Sequence, residues 1–433
     1  MTAAVRHDPL AGLRGRLAGL PGPLFGVFAG LMAFGTYSAM YAFRKSFAVA
    51  SFADVAPVLV EYKIALVIAQ LIGYATAKVI GIKVISELPA SMRVLGIVAQ
   101  VMAAEIALVA FALVPPPWNV AFLFLNGLAL GMIWGMVFGF VEGRRQSDLI
   151  GAILCASFVL ASGVVKSVGA WTMQHWHISQ FWMPSVTGLL FVPLLLVCVT
   201  GLAALPPPNA LDIAQRVERV PMDMTARRAF FGQFAPGLVA LIAVYVLLTA
   251  LRDLRDNFAA EIWAEVGLAD KADIFALTEL PISVVVLGAL AALTVFRDNR
   301  VALVANFALV GFGLVLAGLG SLAFSAQMIG PVPWMIALGA GLYLAYTPFN
   351  GMLFDRLVGA SGRLGTAGFL IYVADSSGYA GSVALVLLRN MVGLKLNWVR
   401  FLIDTSLMMS VVGIVLMGWA GAYFTRKLAK QRT

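Results

Sequence analysis

Charge is scarce in this sequence. Asp, Glu, Lys and Arg make up only 12% of 433 residues, and there are two cysteines and three histidines. A soluble globular domain carries about a quarter charged residues, so a soluble domain of this size is excluded. Cys155 and Cys198 both lie in apolar runs and read as small buried hydrophobes, which excludes a disulfide framework. His7 stands in the N-terminal tail, far along the chain from the H-W-H of His175 and His177, so no metal-ligand set is legible. Catalytic triads and phosphate-cradling glycine loops are missing too. An enzyme is therefore not expected, and neither catalytic residues, metal nor cofactor are assigned. The net charge of +9 sits largely in short loops, where it has a topological reading, and no nucleic-acid partner is expected.

Hydrophobicity is what the chain has in abundance. It is 61% hydrophobic, with a mean hydropathy of +0.93. Apolar runs of roughly 20 residues recur, each long enough to cross a hydrocarbon layer of about 30 Å as a helix. Twelve spans are predicted, at about 24–50, 57–82, 91–114, 118–141, 148–170 and 181–204, then about 234–258, 272–296, 301–323, 333–355, 364–388 and 400–424. The first run lacks a small-residue cleavage site, so the first span itself is expected to direct insertion. Lys and Arg concentrate in alternate loops and in both tails, which predicts cytoplasmic termini and a cytoplasmic central linker. A multi-pass protein of a bacterial inner membrane, monomeric in the bilayer, is expected.

The linker, Pro206 to Arg228, carries Leu211, Ala214, Val217 and Val220 at helical spacing with Arg216 and Arg219 between them, the pattern of a short helix lying on the membrane surface. It divides the chain into an N-terminal bundle at 1–204, a linker at 205–233 and a C-terminal bundle at 234–433. The halves echo each other. Nineteen residues separate Arg44 from Lys63, and nineteen separate Arg252 from Lys271. F-G-F-V-E-G-R and F-N-G-M-L-F-D-R place Glu142 and Asp355 in matching positions near the ends of spans 4 and 10. The predicted fold class is an all-α membrane protein with twelve transmembrane helices in two pseudo-symmetric six-helix bundles around a midplane cavity.

Six basic residues fall where hydrocarbon should be: Arg44, Lys63, Lys78, Lys166, Arg252 and Arg255. A cation in a bilayer must be paired or must line a wet cavity. Arg44 and Arg252 occupy equivalent places in the two halves and are expected on opposite walls of one cavity. Lys78 and Lys166 lie too deep to snorkel and are expected to line it, whereas Lys63 and Lys271 read as interface anchors and Lys45 as structural. On span 7, Arg252 and Asp256 stand at i,i+4, Asp253 lies beside both, and Arg255 shares a face with Arg252. The acids within spans are Glu105, Glu279, Asp375 and Asp404. Asp253, Asp256, Glu279 and Asp375 are read as proton-coupling or charge-balancing groups. Tyr41 and Tyr346 offer hydroxyls to an anion, and Trp134 offers a face to an organic moiety.

Y-A-F-R-K-S-F-A-V-A, Tyr41 to Ala50, and G-Y-A-T-A-K, Gly73 to Lys78, resemble the first and second helices of the organophosphate:phosphate antiporters, within the major facilitator superfamily. The resemblance to the superfamily covers nearly the whole chain; that to the antiporters rests on these short segments. It implies that Arg44 meets the substrate phosphate, that Lys78 is a cavity lysine, and that a second arginine comes from span 7, where Tyr245-Val246-Leu247 precedes Arg252 and Arg255. The loop after span 2 departs from the superfamily pattern, because Gly81 is followed by I-K-V-I-S-E, and Lys166 has no counterpart in the antiporters. The expected activity is secondary transport of a small organic anion, phosphorylated metabolites foremost, by alternating access. A proton-coupled exporter of a larger anion such as a siderophore, nucleotide or lipid phosphate is the second transport reading, and a non-transporting sensor or scramblase the third.

Overall fold

The computed structural model describes residues 9–57, 59–141, 144, 147–208, 224–361, 368–391 and 397–430. The surface helix expected in the linker, His7 and Glu142 lie outside the described residues. All regular structure among the described residues is helical: α1 (Ala11–Ala18), α2 (Gly22–Lys45), α3 (Tyr62–Glu87), α4 (Arg93–Leu113), α5 (Val120–Leu130), α6 (Ile133–Val141), α7 (Ser147–Trp176), α8 (Met183–Leu190) and α9 (Val192–Ala203) form the first half. The second half holds α10 (Met224–Asn257), α11 (Ala259–Glu265), α12 (Ile274–Leu293), α13 (Asn299–Ser325), α14 (Pro331–Gly351), α15 (Leu353–Ala360), α16 (Gly368–Met391) and α17 (Trp398–Ala429).

Among the described residues eleven spans are long and apolar enough to cross a membrane, and there are twelve when the bent pair α8–α9 is taken as one span. That pair bends by 44° at Phe191, where Pro193 contributes no backbone N–H. The fourth span is likewise two pieces, α5 and α6, parted at Gly131 and Met132. An even number of crossings returns residue 430 to the face from which α1 starts. Arg14 of α1 donates to the carbonyl of Ala203, at the end of α9, over 3.1 Å, which puts the end of the sixth span on that same face. We call it the terminal face, and the opposite one the far face.

Hydropathy placed the spans but shortened three of them. α10 begins ten residues before the expected 234, α17 runs five beyond the expected 424 and α7 runs six beyond the expected 170. The extensions carry polar residues, Arg227 and Arg228, Arg426 and Lys427, and Gln174 and His175, which are compatible with helix yet do not register as apolar. The first span continues past α2 as a 3₁₀ turn, Ser46–Val49.

Within the halves α2 packs on α7, α3 on α5, α10 on α16 and α17, and α13 on α14. The halves meet where α7 touches α12 and α14, and where α3 touches α16. Close approach of α3 and α5 depends on two glycines. A Cβ on Gly73 would stand 2.1 Å from the Phe124 carbonyl oxygen, and one on Gly127 would stand 2.2 Å from that of Gln70. Backbone cannot yield as a side chain can, and overpacking typically costs about 1–3 kcal/mol. Gly127→Leu and Gly73→Leu are expected to lower the unfolding temperature of the purified chain, whereas Gly288→Leu, with nothing within 4 Å of its Cβ position, should leave it unchanged. Equal tolerance at all three sites would contradict this packing.

Candidate functional site

The centre of the molecule is organised by the way α2 ends. Its last turn tightens into the 3₁₀ segment, so carbonyls near the helix end need partners from elsewhere. Asn126 Nδ2 donates to the Phe43 carbonyl at 3.0 Å, and Gln70 Nε2 to the Arg44 carbonyl at 2.8 Å. Gln70 also donates to Asn126 Oδ1 at 2.9 Å. Two neighbouring helices, α3 and α5, thereby hold the backbone at Arg44. Gln70 and Asn126 were not singled out in the sequence, although both are polar residues in otherwise apolar spans.

The Arg44 guanidinium lies 3.6 Å above the Tyr74 ring and 5.9 Å from that of Tyr41. Arg44 is 6% exposed. Among the described residues its guanidinium meets no carboxylate, and Nε is a buried donor with no partner. A desolvated cation–π contact contributes about 2 kcal/mol, less than the several kcal/mol that an unpaired buried charge costs. Tyrosine faces alone do not satisfy it.

Arg252 has a local partner. Its Nη2 lies 2.8 Å and its Nε 3.1 Å from Asp253 Oδ1, and its guanidinium is 4.3 Å over the Tyr346 ring. Ser382 donates to the other Asp253 oxygen at 2.8 Å. Arg44 stands five residues before the end of the first span, Gly22–Val49, and Arg252 five before the end of the seventh, Arg228–Asn257. Tyr41 and Tyr379 each lie within electrostatic reach of both arginines. The structure thus brings Arg44, Arg252, Tyr41 and Tyr346 toward one centre between the halves.

The remaining sequence-selected groups are placed differently. Arg255 does not share the face of Arg252. It turns to α12 and α14, where Nη1 meets Glu279 Oε1 of α12 at 2.7 Å and Nη2 meets the Met335 carbonyl of α14 at 3.1 Å. Arg255, Glu279 and Lys166 line a narrow pocket with Thr278 and Trp263. Asp256 does not serve Arg252 at i,i+4; it accepts from Lys45 and Lys166 of the other half, and from Ser162 at 2.5 Å. Lys45 Nζ reaches Asp256 Oδ2 at 2.6 Å and Asn257 Oδ1 at 2.8 Å across the interface between the halves. Lys63 is no interface anchor: it is 4% exposed, pairs with Glu261 at 2.5 Å and donates to the Ala48 carbonyl at 2.7 Å. Lys271 is exposed. Asp404 sits at the far end of its span in an exposed pair with Arg400. Trp134 stacks on Phe138 with ring centroids 4.9 Å apart, which occupies one of its faces, and its Nε1 is a buried donor without a partner.

One turn beyond Tyr74 toward the terminal face, Lys78 meets Asp375 of α16 at 2.5 Å. Tyr245 donates its one hydroxyl proton to that carboxylate, and its oxygen lies 3.1 Å from the Tyr346 hydroxyl. The Tyr74 and Tyr379 rings touch edge to face at 5.8 Å, with Lys78 between 5 and 6 Å from both. Charged contacts across the halves therefore lie on both sides of Arg44. Lys78–Asp375 stands on the terminal side; the Lys45–Asp256–Lys166 cluster and Lys63–Glu261 stand on the far side.

The structure is similar to solved transporters at full length. A mutant of peptide transporter POT in complex with sulfate is 15% identical, with a TM-score of 0.58 and coverage of 96% of this chain and 99% of that one. A bacterial homologue of the human lysosomal transporter Spinster, in an inward-facing unoccupied conformation, gives 12%, 0.57, 98% and 98%. A mutant of nucleoside transporter NupG gives 14%, 0.57, 92% and 99%. At such identities the likeness establishes the fold alone, that of two six-helix bundles; the multi-pass character rests on the apolar helices themselves. No curated protein matches the sequence. The model of one family covers residues 46–427, and the chain accordingly belongs to the family of unknown function DUF5690.

Proposed function

We propose that this protein is a secondary transporter of a small organic anion, with phosphorylated metabolites the favoured class, gripped between Arg44 and Arg252. The observation that carries the reading is the Arg44 guanidinium: buried, central, held by a dedicated backbone network and without an anionic partner among the described residues. An oxyanion supplies what it lacks, because charge-assisted bonds to a planar fork are strong and directional. Tyr41, Tyr346 and the unpartnered indole N–H of Trp134 add donors for the rest of an organic molecule. The likeness to transporter structures supports alternating access. In that cycle the Lys78–Asp375 contact opens one face, and the Asp256 and Glu261 contacts open the other. Glu279 and Asp375 each face a cation here, which supports anion exchange over proton symport.

The test uses the purified full chain in liposomes loaded with an organic phosphate ester. External labelled ester should exchange against the internal pool faster than it enters empty vesicles. Net uptake that depends on a proton gradient and is lost in Asp375→Asn or Glu279→Gln would overturn the exchange mechanism. Uptake of neutral or cationic solutes alone would overturn the anion reading.

A further inference from the structure

The buried charges of the core do not cancel. Arg252 has Asp253, Arg255 has Glu279 and Lys78 has Asp375. Lys45 and Lys166 share the single carboxylate of Asp256, and Arg44 meets none. Among the described residues six cations therefore stand against four carboxylates, and two positive charges are left over. One is on Arg44. The other belongs to the Lys45–Lys166 pair, and Lys45 follows Arg44 directly in the chain. The neighbouring groups do not change the count. Lys63 and Glu261 cancel each other. Glu105, which accepts from Ser185 where α4 packs on α8, meets none of these cations.

We propose that the occupant of the site carries two negative charges, and that Lys45 sets this valence. The inference rests on the anion-transport reading and goes further by fixing the charge of the anion. Asp256 is fully engaged: one oxygen takes Lys166 and Ser162, the other takes Lys45. It has nothing left with which to cancel a second ammonium. In a low-dielectric core an uncompensated charge acts strongly on its nearest unsatisfied neighbour. A monoanion on Arg44 leaves the core one charge short of neutral; a phosphomonoester, a phosphonate or a dicarboxylate closes the balance. Lys45 also ties the two halves together at the far face, so the charge that selects the occupant is the same charge that holds that face shut.

The experiment compares sulfate with methanesulfonate, two tetrahedral oxyanions of like size, in buffer near neutral pH, where the first carries two charges and the second one. Binding to the purified full chain is read by calorimetry and by ligand-induced shifts of the unfolding temperature. The wild type is expected to bind the dianion at least about tenfold more tightly. Lys45→Met and Lys166→Met each leave Asp256 with one lysine, so in both the preference should fall to about one while monoanion binding persists. Arg44→Ala should lose both probes. Equal affinities in the wild type would overturn the valence inference and leave the anion reading standing. A preference that survives in both lysine variants would remove Lys45 from the role. Binding of neither probe by the wild type, with no exchange of phosphate ester in liposomes, would overturn both readings together.

Discussion

Arg44→Ala is expected to weaken organic-anion binding at least about a hundredfold while the chain remains folded. The magnitude follows from two charge-assisted hydrogen bonds of about 1.5–3 kcal/mol each. The direction on stability is the unusual part. Arg44 makes no ion pair among the described residues, so its removal orphans no carboxylate and takes away an uncompensated buried charge. Its backbone is held by Gln70 and Asn126 through the carbonyls of residues 43 and 44, not through the side chain. The unfolding temperature without ligand should therefore hold or rise, and only the ligand-dependent shift should vanish. Arg44→Lys keeps the charge and loses the fork, and should fall between wild type and alanine. A variant that unfolds, or one that keeps its anion-induced shift, would show that Arg44 is a packing element and not a ligand-binding one.

Asp256→Asn should do the reverse, destabilising the protein by about 3–5 kcal/mol. The substitution strands two buried lysines, Lys45 and Lys166, whose side chains are each 5% exposed. Breaking a buried pair from one side leaves the other side unsatisfied, and here one carboxylate serves two partners. Replacing all three together, with Lys45→Met, Lys166→Met and Asp256→Leu, should restore most of the stability, because a well-packed apolar cluster replaces a buried ionic one at little loss. Thermal unfolding of the solubilised single and triple variants measures both effects. If Asp256→Asn falls within about 1 kcal/mol of wild type, water reaches the cluster and the far face is not sealed by it.

The two arginines also show how far sequence reasoning reaches. Arg44 and Arg252 were matched by an equal spacing to Lys63 and Lys271, and they do stand equally far from the ends of their spans. The lysines used to find that match part company: Lys63 is buried against Glu261, while Lys271 is exposed. A repeat in sequence preserves depth in the membrane. It does not preserve what the neighbouring helix presents at that depth.

What the amino-acid sequence determined by itself was the solvent and the architecture. Scarce charge and recurring apolar runs call for a bilayer, a set of spanning helices and a reason for every cation left among them. Those are properties of one helix at a time, and hydropathy and 3.6-residue periodicity report them directly. Tertiary structure alone decided which cation is answered. Lys78 finds Asp375 across 297 residues and Lys166 finds Asp256 across 90, whereas Arg252 takes the adjacent Asp253 in place of Asp256 one turn away. An ion pair is settled by which helix faces pack together, and periodicity carries no information about the partner helix. Only after those pairings are made does the buried Arg44 guanidinium remain without an anion among the described residues, and that remainder carries the proposed site.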